Sequence, residues 1–169
     1  MDNITLRPLT IEDASTSYKW RNDPIIWQYT ERTPESRVTE EAERVENIKK
    51  LNDKSSSRFA ILFNNIYVGN AELTDIKNNQ TADYHIFIGE KDIWGKGIAQ
   101  NATLQIIDYA TNVLELKEIT LWVHINNKAA LAVYENVGFV EEYSQEKYEN
   151  YIFMKLDLIK TQNTISFKH

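Results

Sequence analysis

The residues best suited to chemistry in this chain are Trp94-Gly95-Lys96-Gly97-Ile98-Ala99. They follow a strand-like run at 83–88 and open a helix-like run ending near Leu114. Two glycines allow a tight turn and let a ligand approach the backbone closely. N–H groups without acceptors at a helix start can hold a phosphate, and Lys96 adds positive charge there. The loop is not a P-loop, which reads Gly-x-x-x-x-Gly-Lys-Ser/Thr; here Gly97 follows Lys96. Nor is it a dinucleotide fingerprint, because Gln100 stands where the third glycine belongs. By itself the loop is either a phosphate cradle or a tight strand-to-helix connection that binds nothing.

Glu72 and His85 form a second candidate pair. If the turn at 77–80 is centred between Asn78 and Asn79, Glu72 lies opposite His85, on a face shared with Asp83 and Phe87. A carboxylate beside an imidazole can relay a proton near neutral pH; a solvated or structural polar pair is the alternative. His124 sits on a strand expected to be central and reads as packed or hydrogen-bonded. A third group, Trp20, Arg21, Asn22, Trp27 and Tyr29, lies between the first two expected helices. Arg21 could hold a carboxylate or phosphate, and Trp20 and Trp27 could wall a cation. Core packing is the alternative for each aromatic.

Several elements must position these groups. A short strand at 6–9 is followed by a helix from the Thr10–Asp13 capping pair to about Trp20, ended before Pro24. Thr33-Pro34-Glu35 predicts a second helix start, with Val38, Ala42, Val45 and Ile48 as its apolar face to about Leu51. Strands at 58–63 and 66–74 flank Asn64-Asn65, a tight hairpin turn, and a third strand spans 82–88. After the glycine-loop helix come a strand at 119–125, a helix at 127–136 stopped by Gly138, and strands at 140–143 and 148–158. The order predicts an α+β fold of mixed α/β layers rather than a doubly wound parallel sheet. One domain is expected over residues 1–160, with a polar tail at 161–169.

With 169 residues and a formal net charge of −6, a broad nucleic-acid surface is not expected. The absence of cysteine excludes disulfides, Cys-based metal sites and a thiol nucleophile; it suits the cytoplasm. No membrane span, signal peptide or metal is expected.

Trp94-Gly95-Lys96-Gly97-Ile98-Ala99 resembles the Gln/Arg-x-x-Gly-x-Gly/Ala acetyl-CoA signature of the GNAT N-acetyltransferase superfamily. Asn127-Lys128-Ala129-Ala130-Leu131-Ala132-Val133-Tyr134-Glu135-Asn136-Val137-Gly138-Phe139 is similar to that family's second motif, Asn-x-x-Ala-(apolar)-x-x-Tyr-Glu-Lys-x-Gly-Phe. The branch resembled is the RimJ/RimL type, and Gly69-Asn70-Ala71-Glu72-Leu73 resembles a segment of its spermidine acetyltransferases. Trp20-Arg21-Asn22 is similar to relatives that acetylate amino sugars. Trp94 departs from the signature and is expected to pack.

The resemblance implies a central, mostly antiparallel sheet of about seven strands with about four helices, splayed after its fourth strand to admit acetyl-CoA. Main-chain groups of Phe87, Ile88 and Gly89 would pair with pantetheine. The loop from Trp94 through Lys96 to Ala99 would hold the pyrophosphate on its N–H groups from Gly95 onward, and Asn127 would bond the cofactor across the gap. An amine would attack the thioester directly in a ternary complex, with Tyr134 protonating the departing thiolate. The acceptor would be a small-molecule amine or a protein N-terminus. A non-catalytic acyl-CoA-binding module is the alternative. A homodimer through the final strands is open.

Overall fold

The computed structural model describes residues 1–30 and 32–159; the expected tail at 161–169 lies outside them. The elements run β1 (Ile4–Pro8), a 3-10 turn (Ile11–Asp13), α1 (Ala14–Arg21), α2 (Glu40–Asn52), β2 (Ser57–Phe63), β3 (Ile66–Lys77) and β4 (Thr81–Ile88). A second 3-10 turn (Lys91–Ile93) then leads to α3 (Ile98–Asn112), β5 (Glu118–His124), α4 (Lys128–Val137), β6 (Val140–Glu141) and β7 (Tyr151–Asp157). The strands form one sheet of seven in the order β1-β2-β3-β4-β5-β7-β6. All neighbours are antiparallel except β4 and β5. This is the α+β, mostly antiparallel sheet that the element order and the resemblance predict.

Local chemistry explains most of these boundaries. Asn64 and Asn65 both take positive φ, 50° and 67°, the pair of left-handed residues a two-residue hairpin needs. Thr10 N–H donates to Asp13 Oδ2 at 2.8 Å, so the predicted capping pair starts the first helical segment. Gly138, at φ 110°, ends α4 in the left-handed cap.

The second helix differs from expectation in its start and its inner face. It begins at Glu40, capped by Thr39, whose Oγ1 accepts the Ala42 N–H at 3.1 Å. The residues after Pro34 stay non-helical because Asn22 brackets Val38, accepting its N–H and donating to its C=O, both at 2.8 Å. The face turned inward carries Glu43 and Asn47, both buried, while Val45, Ile48 and Leu51 are exposed. Ser17 Oγ donates to Glu43 Oε1 at 2.9 Å, and Asn47 Nδ2 donates to Thr10 C=O at 3.3 Å, so the inward polar groups are satisfied. The apolar face expected from the spacing is therefore the outer face along Val45, Ile48 and Leu51.

The core lies between the sheet and α3/α4, with Ile61, Leu73, Ile106, Ile119 and Met154 almost wholly excluded from solvent. α1, α2 and their connection cover the opposite face, where Trp20 and Trp27 pack on Phe87. This two-layer cover fixes where a site can open.

Candidate active site

β4 and β5 pair only through Thr81↔Glu118, Ala82↔Ile119 and Asp83↔Thr120. A side-chain bond reinforces the last pair, Thr120 Oγ1 donating to Asp83 Oδ1 at 2.6 Å. From Tyr84 onward the two strands share no ladder among the described residues, although β4 continues to Ile88 and β5 to His124. The sheet thus opens after its fourth strand. Tyr84 projects into the α3/α4 layer, where its hydroxyl bonds Thr103 at 2.9 Å and its ring meets the ring of Tyr134 edge-on, centroids 6.3 Å apart.

The polarity of the opening follows from ladder alternation. Gly89 N–H donates to Val68 C=O at 2.7 Å, so this residue faces β3. Antiparallel pairs alternate along a strand, so the main-chain groups of Ile88 and Ile86 face the opening, whereas those of Phe87 and Gly89 face β3. Of the three residues expected to pair with pantetheine, Ile88 alone offers both its N–H and C=O on that side. Gly89 has a separate reason to be glycine: a Cβ there would sit 2.0 Å from the Trp20 ring.

The glycine loop lies beside this opening. Gly95 and Gly97 take φ 80° and 75°, and Gly97 is the N-cap residue of α3. No side chain of the described residues caps α3, so the first-turn N–H groups are available to an anion. A Cβ at either glycine would meet nothing within 4 Å; the backbone conformation, not crowding, demands glycine in the empty loop. Lys96 extends over the Phe63 ring, its ammonium 5.7 Å from the centroid. Trp94, expected to pack, is 45% exposed, and its Nε1 donates to Ile88 C=O at 3.0 Å.

Tyr134 is buried on α4 between Tyr84 and Phe139. Burial raises its pKa, so the phenol stays protonated. Its hydroxyl has no hydrogen-bond partner among the described residues. Asn127 caps α4, its Oδ1 accepting the Ala130 N–H at 3.2 Å.

A family model described as an acetyltransferase (GNAT) domain matches residues 3–140 of this chain. The chain belongs to the GNAT acetyltransferases. The spermidine N(1)-acetyltransferase of Vibrio cholerae is 31% identical over 142 residues, covering 82% of this chain and 80% of that protein. A crystal structure of spermidine N-acetyltransferase from Vibrio cholerae with CoA and spermine superposes with a TM-score of 0.81 at 26% identity, covering 95% of this chain and 98% of that one. A dodecameric structure of the enzyme from that organism, in an intermediate state, has a TM-score of 0.75 at 26% identity, with 95% and 97% of the two chains covered.

On the other face of the acetyltransferase sheet, the expected Glu72–His85 relay is not assembled. The two residues are register partners, but Glu72 Oε2 accepts from Arg58 Nη1 at 2.7 Å. His85 Nδ1 lies 3.0 Å from Arg32 Nη2, and Nε2 lies 3.1 Å from Thr74 Oγ1. A guanidinium can only donate, so Nδ1 is the acceptor and the proton sits on Nε2. Burial, then the Arg32 charge, push the imidazole down to about 4. Its lone pair is occupied and its basicity is low. Arg58 and Arg32 escaped the sequence reading because their partners are 14 and 53 residues away.

The His85 shift predicts a pH dependence of stability. The unfolded imidazole titrates near 6.5 and the folded one near 4. Between these values the unfolded chain binds more protons, so stability rises with pH across the window, is complete above it and is lost as pH falls. The contribution is at most about 3 kcal/mol. Urea midpoints at pH 7.5 and pH 4.5 should differ less for His85→Gln than for the unchanged protein; equal differences would refute the assignment.

The residues expected at the acceptor are largely committed to structure. Trp20 Nε1 donates to Glu90 Oε1 at 3.0 Å, and Trp27 Nε1 to Trp20 C=O at 2.8 Å. Arg21 stacks on Trp27 at 4.9 Å, donates to Arg32 C=O at 3.2 Å and lies 3.9 Å from Glu43. Asn22 is consumed by Tyr18 and Val38. Tyr29 differs: its ring lies 5.5 Å from that of His124, which in turn meets Tyr151. Beyond them the lining of an open trough of about 620 Å³ includes Trp122, Tyr148, Phe153, Glu141, Glu142, Glu146 and Lys147. Sequence reasoning missed this wall because its residues look like ordinary strand-pair positions.

Proposed function

We propose that the protein transfers the acetyl group of acetyl-CoA to a primary amine of a small polyamine, by direct attack in a ternary complex. The observation that carries this reading is the opening between β4 and β5, with an uncapped glycine-loop helix start beside it and a protonated, unpartnered Tyr134 hydroxyl in the layer behind it. In this reading the first-turn N–H groups of α3 hold the pyrophosphate, and Lys96 adds charge. Ile88 offers its N–H to the thioester oxygen as the tetrahedral oxyanion forms. Asn127 keeps its Nδ2 for the cofactor while Oδ1 caps α4. Tyr134 donates its proton to the thiolate as the C–S bond breaks.

The attacking nitrogen must be neutral. With His85 pushed down to about 4 and Glu72 held by Arg58, a water chain is the better route for its proton. The polyamine assignment draws on the spermidine-acetylating relatives and on the aromatic trough, where three carboxylates outnumber the one ammonium, Lys147. The Trp-Gly-Lys-Gly variant supports the RimJ/RimL-type branch. The relative's dodecamer and the exposed stripe of Val45, Ile48 and Leu51 support association of copies of this chain.

The test is release of CoA thiol with spermidine, an amino sugar, an aminoglycoside or a peptide N-terminus as acceptor. Spermidine should give the highest kcat/KM. Preference for another acceptor would overturn the polyamine assignment. Binding of acetyl-CoA with no thiol release above blanks would favour the non-catalytic module.

A further inference from the structure

Ile88 C=O faces the opening between β4 and β5, and it already accepts one hydrogen bond. After β4 the chain makes the 3-10 turn Lys91–Ile93, and Trp94 N–H closes onto Lys91 C=O at 3.1 Å. This folds Trp94 back over the end of the strand, where its indole N–H donates to Ile88 C=O at 3.0 Å. The other two indoles with assigned acceptors, Trp20 and Trp27, are buried, whereas Trp94 is 45% exposed. A large apolar side chain is thus held at the surface by one hydrogen bond to the strand edge.

We infer that Trp94 is an internal competitor for the donor: its indole bonds the Ile88 C=O that an amide N–H of the pantetheine arm would use, and its bulk at that oxygen must swing away when acetyl-CoA enters. The inference rests on the acetyl-CoA reading above. Pantetheine is a chain of secondary amides, so its recognition by a strand edge is an exchange of one N–H donor for another. Among the described residues nothing blocks the movement on the solvent side, since the loop from Trp94 to Gly97 is exposed. Trp94 then weakens donor binding, while the glycines and Lys96 beside it strengthen it.

Trp94→Phe removes the competing donor and keeps an aromatic ring. Its Kd for CoA, measured by calorimetry on the intact chain, should fall about two- to tenfold, the range of one exchanged neutral hydrogen bond. An unchanged or higher Kd would overturn the proposal and make Trp94 a bystander or a direct cofactor contact. Should Trp94→Phe not fold, the indole ¹⁵N–¹H signal of Trp94 in the unchanged protein serves instead, assigned with Trp→Phe variants at the other three positions. Adding CoA should move it toward the solvent-exposed value; a signal that stays in place counts against the exchange. Failure of the unchanged protein to bind CoA at all is a different result: it removes the donor reading, and this inference with it.

Discussion

Tyr134→Phe is expected to lower kcat about 10²-fold or more while leaving the Kd for acetyl-CoA nearly unchanged. The substitution removes one oxygen and nothing else. That oxygen bonds no protein group among the described residues, so its loss leaves no buried partner unsatisfied. The ring contacts with Tyr84 and Phe139, at centroid distances of 6.3 and 5.7 Å, are retained by phenylalanine. Stability should therefore change little, and a fall in kcat would report chemistry rather than folding. The direction of the pKa shift sharpens the test. Burial raises the phenol above its ordinary value, so it remains a donor throughout the working range. The pH profile of the unchanged enzyme should consequently show no limb from loss of this proton below about pH 10. Single-turnover thiol release and calorimetry separate the two quantities, and a variant with full turnover would remove Tyr134 from the reaction.

The glycine loop proposed to hold the donor is legible in the sequence because its conformation is set locally. Two glycines in contiguous sequence dictate positive φ, a helix start and an uncapped N-terminus, and Gly95 and Gly97 meet all three conditions. The Glu72↔His85 register was also legible, though through a compensation that no local rule supplies. The turn closes Lys77 onto Thr81 rather than Gln80, one residue longer than assumed. An irregularity after Thr74, with Asp75 at φ 47° and Ile76 N–H bonded to Ser55 C=O, restores the expected register. What the paired side chains do was not legible, because Arg58 and Arg32 arrive from distant segments and take both groups. The α2 helix failed for a related reason. Periodicity identifies a stripe but not the side on which neighbours lie, and Ser17 and Thr10 supply partners for the polar face instead. Asn22 holding Val38 is a side-chain pairing with no local signal, so the expected helix start at Pro34 was displaced to Glu40. The trough proposed for the acceptor brings together residues from 122 to 153 and has no comparable local signal.

The second large effect concerns Gly97, and it requires a pair of substitutions. Any side chain at φ 75° carries strain, of about 1–2 kcal/mol for most residues, but Asn and Asp tolerate the left-handed region best. A Cβ there meets nothing within 4 Å, so neither Asn nor Asp should disrupt the empty fold. Both place atoms in the space above the α3 N-terminus that a pyrophosphate would fill. Only Asp adds a negative charge. At the helix start its charge should favour α3 through the helix dipole, which Asn does not do. The ligand, if it is a phosphate, meets the opposite sign: two charges about 4 Å apart repel by roughly 1 kcal/mol in water and about 4 kcal/mol near a protein surface. Gly97→Asp should therefore melt at or above the temperature of Gly97→Asn, yet bind acetyl-CoA at least about tenfold more weakly. Stability and affinity then move in opposite directions, which a steric or folding defect cannot produce. Equal affinities for the two variants, with the Asp form fully folded, would mean that the pyrophosphate does not sit at this helix start.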